Sequence, residues 1–151
     1  MLFAESIVPY EGTTSIKLRM SISEVKNLLR EEGIHFKEEI WSSQEETVPN
    51  PWNVIIISNT MSLFFAKNRK LFKIVFWQDY TGSLPNGIKT GLKTDDALKI
   101  DPSLAFDDWN EDYESSDGYW LEDDIENGCI MSISIFIKEL LDDDLFDTCN
   151  W

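Results

Sequence analysis

"IKLRMSISEVKNLL", residues 16–29, is the segment that decides the fold, because a weaker form of it, "IKTGLKTDDALKI", returns at residues 88–100. The offset is 72 residues, which aligns Ile16 with Ile88 and keeps the apolar positions in phase. A spacing of this length is too long for a solenoid repeat, but it suits two copies of a small helix-plus-sheet unit. The sequence therefore predicts an internal duplication.

Each copy opens with a helix signal. Ser21 followed three positions later by Glu24 is a capping box, in which each side chain satisfies a backbone N–H that the helix start leaves unpaired. Apolar residues then recur on one face, and Gly33 can end the element, so we expect a helix over 22–31. The second copy should hold a shorter helix, because Pro102 stops it after roughly two turns.

Strand-forming segments follow each helix. In the first copy they are "FKEEIW", "NVIIIS", "MSLFFA" and "KLFKIVFW", which are rich in the Ile, Val, Phe and Trp typical of pleated sheets. In the second copy, 119–124 and 129–137 flank Asn127-Gly128, a dipeptide that favours a tight hairpin turn. Alternation in 129–137 puts Ser132 and Ser134 on one face, which we expect to be the wetter one.

These elements predict an α+β fold made of two weakly duplicated helix-plus-antiparallel-sheet units. We expect a single compact domain over 1–151, with internal copies at 12–78 and 84–138 and a short C-terminal helix near 138–145. Each copy alone is near the size at which a core becomes marginal, which favours one cooperative domain. The pattern leaves open whether the sheet is continuous or split into two packed units.

Charge divides the chain into two unlike halves. Residues 1–76 hold nine acids and nine bases, whereas residues 77–151 hold nineteen acids and four bases and so carry the whole net charge of −15. An aromatic content of 13% excludes a disordered acidic tail, which would have few rings. The apolar runs fall well short of the ~20 residues of a membrane span, and the N-terminal residues lack a secretory signal. We expect a soluble, cytoplasmic protein with Cys129 and Cys149 as free thiols.

The sequence contains no motif that indicates catalysis, a cofactor or a metal. His35 is the only histidine, and a catalytic triad or zinc site needs more partners than one. An EF-hand also fails, because placing Gly118 at the loop glycine puts Tyr113 at the first ligand position. We expect no enzyme and no nucleic-acid partner, although an unrecognised hydrolase is an alternative. Four basic residues lie close together in sequence: Lys67, Arg69, Lys70 and Lys73. We interpret this basic cluster as part of a hairpin and an edge strand, in which lysine prevents aggregation.

Residues 106–124, "FDDWNEDYESSDGYWLEDD", combine many acids with large rings and contain no Lys or Arg. Rigid rings anchor protein interfaces, and carboxylates around them steer a basic partner. The segment therefore predicts a partner-binding surface, with a solvated acidic face as the plain alternative. The candidate residues are Asp107, Asp108, Trp109, Glu111, Asp112, Tyr113, Glu114, Asp117, Tyr119, Trp120, Glu122, Asp123 and Asp124.

Through residues 16–29 and their echo at 88–100, together with the acidic composition, the chain resembles bacterial toxin-immunity proteins, particularly those of contact-dependent growth inhibition systems. Its duplicated layout is also similar to that of the beta-lactamase inhibitory protein. The resemblance implies a protein that binds and neutralises a cognate toxin domain, commonly a basic nuclease, by covering its active site or a neighbouring surface. The alternative from another class is an acidic DNA-mimic regulator that captures a nucleic-acid-binding protein. The oligomeric state stays open.

Overall fold

An antiparallel sheet of eight strands organises the chain, for which the computed structural model describes residues 2–41 and 52–151. The strands in chain order are β1 (Lys37–Trp41), β2 (Trp52–Ile57), β3 (Met61–Phe65), β4 (Leu71–Phe76), β5 (Ala105–Asp107), β6 (Asp112–Glu114), β7 (Tyr119–Asp124) and β8 (Cys129–Phe136). Their order across the sheet is β1-β2-β3-β4-β8-β7-β6-β5. The predicted α+β class is confirmed, and the sheet is continuous.

The helices are short and precede or follow the strands. They are α1 (Ile22–Glu31), α2 (Thr94–Ile100) and α3 (Asp143–Asp147), with 3-10 turns at Leu2–Ala4 and Lys138–Leu141. The predicted C-terminal helix is present, but Asp142 interrupts it. Within the ranges that the structure describes, no helix combines the length and the apolar character that crossing a membrane requires.

In the described residues, each half of the chain places a helix before four strands that pair in chain order, and α3 follows the last strand. α1 precedes β1 to β4, and α2 precedes β5 to β8, with β4 paired to β8 where the halves meet. Arg19 and Gly91, which are 72 positions apart, both have left-handed backbones with φ of 79° and 89°. The two helix entries therefore share a local conformation, while the copy boundaries 12–78 and 84–138 stay predictions.

The start of α1 confirms the predicted capping box. The Ser21 hydroxyl accepts the Glu24 backbone N–H at 3.2 Å, and the Glu24 carboxylate accepts the Ser21 backbone N–H at 3.3 Å. α2 differs, because Lys93 occupies the corresponding position without a side-chain cap. α1 therefore begins at a fixed residue, whereas the start of α2 depends on tertiary contacts such as the Thr94 N–H bond to the Gly128 carbonyl.

We expect Ser21→Ala to lower the free energy of unfolding by about 1 kcal/mol, because the Glu24 N–H loses its acceptor at the helix start. Urea unfolding followed by circular dichroism measures the change. Ser116→Ala is the matched control, since Ser116 is exposed and its hydroxyl has no bond partner among the described residues. An equal loss in both variants would contradict the cap's contribution.

Both longer helices lie on the same face of the sheet. One row of paired residues crosses six strands, from Glu38 on β1 to Tyr119 on β7. Lys26 of α1 forms an ion pair with Glu38, and Asp101, directly after α2, bonds to the Tyr119 hydroxyl. The side chains between the two ends of the row are apolar and fully buried: Ile55, Leu63, Ile74 and Ile135.

The opposite face of the sheet is covered as well, which corrects the expectation of a wet serine face. Ser132 and Ser134 are 0% and 4% exposed. Ser134 pairs with Val75 on one side and Trp120 on the other, and the Trp120 ring lies 4.3 Å from that of Phe136. Large rings on neighbouring positions therefore close over the small serine side chains.

The basic cluster also has a different setting from the one expected. Residues 67–70 do form the turn between β3 and β4, but β4 lies inside the sheet between β3 and β8. The reading as a protected edge strand is therefore wrong. Lys73 of β4 points over two rings, with its Nζ 5.3 Å from the Phe64 ring centroid and 5.4 Å from that of Trp120.

Two further local predictions are confirmed. Cys129 and Cys149 are free thiols. His35 is exposed between α1 and β1, as expected for a surface residue.

Candidate functional site

The acidic segment forms the edge of the sheet farthest from β1. The β5–β6 turn (108–111) and the β7–β8 turn (125–128) lie at the same end of the strands, because β6 runs antiparallel to β7 with Tyr113 opposite Leu121. Two acid-bearing turns that are separated in sequence therefore become neighbours. The hairpin fold, more than local sequence, creates this grouping.

A cleft of about 430 Å³ opens between these two turns. Its lining combines four carboxylates with three large apolar side chains, so it offers hydrogen-bond acceptors beside a non-polar surface. None of the residues that form it is basic. We call it the acidic cleft, and it is lined by Phe106, Asp108, Asn110, Glu111, Glu122, Asp123, Ile125 and Met131.

Carboxylates hold both turns in shape. In the first turn, Asp107 accepts the backbone N–H of Trp109 at 2.9 Å and the Asn110 side-chain amide at 3.1 Å. In the second, Asp124 accepts the Glu126 backbone N–H at 3.0 Å and the Asn127 amide at 2.7 Å. These two acids of the predicted set therefore shape the surface and are less free to meet a partner.

Large apolar side chains stand exposed beside the acidic cleft. Trp109 is 91% exposed at the tip of the first turn, and Ile125 is 89% exposed at the tip of the second. Phe106 is half-exposed and packs against Tyr113 at 5.1 Å between ring centroids. Exposed apolar residues of this size, clustered and rimmed by charge, are typical of interaction sites.

Other rings in the predicted set are less available. Tyr119 is 1% exposed and belongs to the core, so the expectation that it supplies contact area does not hold. Its position in the row that faces the helices explains this, because every second residue of β7 points to that side. Tyr113 is half-buried, and Trp120 lies half-buried under Lys73.

The nine predicted acids do not form one surface. Asp108 and Glu111 are exposed in the acidic cleft, and Glu122 and Asp123 are half-buried in it. Asp117 lies in the β6–β7 turn, at the opposite end of the strands, beside Pro85 and Asn86. The remaining acids are Asp107 and Asp124, which hold turns, and Asp112 and Glu114, which lie on the sheet face.

Asp101 anchors this acidic edge to the end of α2. Its carboxylate accepts bonds from Ser103 at 2.6 Å, from Ser115 at 2.5 Å and from the Tyr119 hydroxyl at 2.5 Å. Burial alone raises the pKa of Asp101, but these donors outweigh it and lower the pKa to about 2. The segment before β5, the β6–β7 turn and β7 are thus joined through one ionised group.

Three carboxylates converge on the face opposite the helices. One oxygen each from Asp107, Asp112 and Glu114 lies within 4.8 Å of the other two. Burial raises the pKa of Asp112, and the negative charge of Asp107 adds to this. Burial and the contact with Asp107 also raise the pKa of Glu114. Among the residues of the predicted set, these three are the ones whose geometry suits a metal ion.

Lys73 is the cation that faces this part of the sheet. Burial lowers its pKa, and the nearby charges of Glu122 and Asp112 oppose that change. Burial likewise raises the pKa of Glu122, against the attraction of Lys73. The Lys73 Nζ lies close to the Phe64 and Trp120 rings, and Lys73 is not among the residues that line the acidic cleft.

No protein-family model matches this chain, and the searches of curated proteins and of solved structures found no match either. The site is therefore interpreted from its own chemistry.

Sequence reasoning missed several residues that matter to the site. Ile125 lines the acidic cleft from the second turn, and Met131 lines it from β8. The signal for Ile125 was present, because an isolated apolar residue between Asp124 and Glu126 at a turn tip has no core to enter. Asp101 gave no such signal, since its role depends on donors from distant segments.

Proposed function

We propose that this chain is an immunity-type inhibitor that binds a basic bacterial toxin domain through the acidic cleft and the exposed rings beside it. The observation that most directly supports this proposal is that Trp109 and Ile125 lie at the tips of two neighbouring turns, beside a cleft lined by carboxylates. The proposed place of action is the cytoplasm of the cell that makes the protein.

The chemistry of the cleft favours a lysine or arginine side chain as its occupant. A long basic side chain can lay its methylene groups on Phe106 and Met131 while its charged end meets the carboxylates. Arginine suits such a site better than lysine, because its planar fork binds carboxylates with paired hydrogen bonds. Trp109 then supplies contact area on the partner's surface next to the inserted side chain.

The charge of the second half supports fast capture of such a partner. Complementary charge raises association rates well above the unsteered range of about 10⁵–10⁶ M⁻¹s⁻¹. A toxin domain that acts on nucleic acid carries a basic surface of its own, which the carboxylates of this edge complement. Inhibition follows when the bound chain covers that surface.

The proposal is tested with the product of the gene beside this one, which the proposal expects to be a toxin domain. The purified domain is assayed for its activity and for binding, with and without this chain, at equal molar ratio. We expect stoichiometric inhibition and a stable complex. A neighbouring product that neither binds nor is inhibited would overturn the immunity proposal. Capture of a housekeeping nucleic-acid-binding protein with matching affinity would favour the DNA-mimic alternative.

Trp109→Ala separates binding from folding. Because the ring is 91% exposed, we expect the unfolding free energy to change by less than about 0.5 kcal/mol, while affinity for the toxin domain falls about 10-fold or more. Leu145→Ala, at an exposed position of α3, is the control and should leave affinity unchanged. Calorimetric titration measures both. Equal affinities of the two variants would remove Trp109 from the interface.

A further inference from the structure

The carboxylate cluster on the sheet face contains oxygens that no donor satisfies. Asp112 is 7% exposed, and its Oδ1 has no hydrogen-bond partner among the described residues. Glu114 Oε2 is also buried and also lacks a hydrogen-bond partner among the described residues. A buried carboxylate oxygen without a partner is costly in free energy and is rare in native proteins. A bound cation, or protons shared among the three carboxyl groups, would remove that cost.

No side-chain cation in the part of the chain that the structure describes supplies positive charge directly. Within the described residues, no Lys or Arg nitrogen lies within 4.0 Å of these carboxylates. Lys73 is the basic residue that could compensate these carboxylates, but its Nζ lies over the Phe64 and Trp120 rings. Glu122 on β7 adds a further negative charge to the same side of the cluster.

The local backbone holds the three side chains together. Asp107 and Asp112 pair directly across the β5–β6 hairpin, and Glu114 is two residues further along β6, so all three point to one face. The Trp109 and Asn110 donors fix the orientation of Asp107. The cluster is therefore preorganised by one hairpin and does not depend on distant contacts.

We propose that Asp107, Asp112 and Glu114 bind a hard divalent cation, with calcium as the best-suited ion. Such cations prefer carboxylate oxygens, and calcium accepts six to eight ligands in irregular geometry at 2.3–2.6 Å. Two oxygens on one calcium can be separated by up to about twice that distance, which the 4.8 Å limit of this cluster meets. Water would complete the shell, since Glu114 is partly exposed.

The binding would also act on the proposed interface, although it does not depend on it. The Asp107 carboxylate that would meet the cation also accepts the Trp109 N–H. A bound cation would therefore fix the turn that presents Trp109 while leaving Asp108 and Glu111 free in the acidic cleft. The test uses the chain alone, so its outcome is separate from that of the toxin experiment.

Calorimetric titration of the chelator-treated chain with CaCl₂, and then with MgCl₂, tests the site. We expect one saturable calcium per chain with Kd at or below about 1 mM, as in weaker calcium modules. At a calcium concentration of roughly 100 times Kd, the melting temperature should rise by roughly 5–10 °C.

Asp112→Asn and Glu114→Gln should each weaken calcium binding at least about 10-fold, because each removes a charged ligand. The amide variants keep the side-chain shape and relieve repulsion, so both should fold. Asp144→Asn on α3 is the control for a general loss of negative charge and should bind calcium as the parent does. Absence of saturable binding up to about 10 mM of either ion, or equal binding by all three variants, would overturn the site. The first result would leave shared protons, or a partner's basic side chain, as what compensates the cluster.

Discussion

Asp101→Ala is expected to lower the free energy of unfolding by about 3 kcal/mol, because it leaves buried donors without their charged acceptor. The carboxylate receives four hydrogen bonds, two from Ser103 and one each from Ser115 and Tyr119. Tyr119 is 1% exposed, so its hydroxyl loses the charged acceptor in a buried setting and keeps the hydrogen bond from the Asn86 amide. Denaturant unfolding measures the loss.

The stability that Asp101 contributes also depends on pH. Since the folded-state pKa of Asp101 is about 2, lowered from 3.8, its ionised form contributes stability that is complete above about pH 5 and is lost as pH falls through 2. The stability difference between the parent chain and Asp101→Ala should therefore narrow over that interval. Taking the difference in unfolding free energy between the two proteins at each pH removes the contribution of the other acids, which both proteins share.

Asp117→Ala is the control for this measurement. Asp117 is exposed in the β6–β7 turn, and its carboxylate accepts no hydrogen bond from the described residues. Its removal should change stability by less than about 0.5 kcal/mol at any pH. If Asp101→Ala were as stable as Asp117→Ala, Asp101 would not anchor the acidic edge.

Reversing the two exposed acids of the cleft is expected to have the largest effect on binding. In Asp108→Lys/Glu111→Lys the association rate with the toxin domain should fall roughly 10- to 100-fold at low salt, because steering is replaced by repulsion. The dependence of the rate on ionic strength should flatten as well. Stopped-flow fluorescence at several salt concentrations measures both.

The matched control carries the same change in net charge at the other end of the molecule. Asp144→Lys/Asp147→Lys alters α3, which packs through Phe146 on Phe72 at the start of β4. If net charge alone governs association, both double variants will slow equally. If the acidic cleft is the docking site, the α3 variant will keep most of the parent rate at physiological salt, where the Debye length is about 8 Å and charges at the other end of the strands are largely screened.

The fold could be predicted where a segment is long enough to show the periodicity of its apolar residues. The capping box at Ser21 and the apolar strands of the first copy gave elements close to those observed. β5 and β6 could not be predicted, because three residues are too few to show alternation and acidic residues disfavour strands. β6 forms a strand because β7 offers it an edge to pair with, and β5 pairs in turn with β6.

The site could be predicted as a segment but not as a surface. Which acids share a face depends on where the chain reverses, and the β6–β7 turn carries Asp117 away from the other acids. Tyr119 lies in the core because alternate residues of β7 point towards the helices, although the composition of the segment alone suggested an exposed ring. The convergence of Asp107, Asp112 and Glu114 required the hairpin register, which no spacing in the sequence specified.

Hydrogen–deuterium exchange on the complex with the neighbouring toxin domain tests the central claim most directly, because it locates the interface on this chain. The account predicts slowed exchange of backbone amides in 106–114 and 122–128 on complex formation, with the α3 segment 143–147 unchanged. Slowed exchange confined to α3 or to β1, with both acidic turns unaffected, would contradict it.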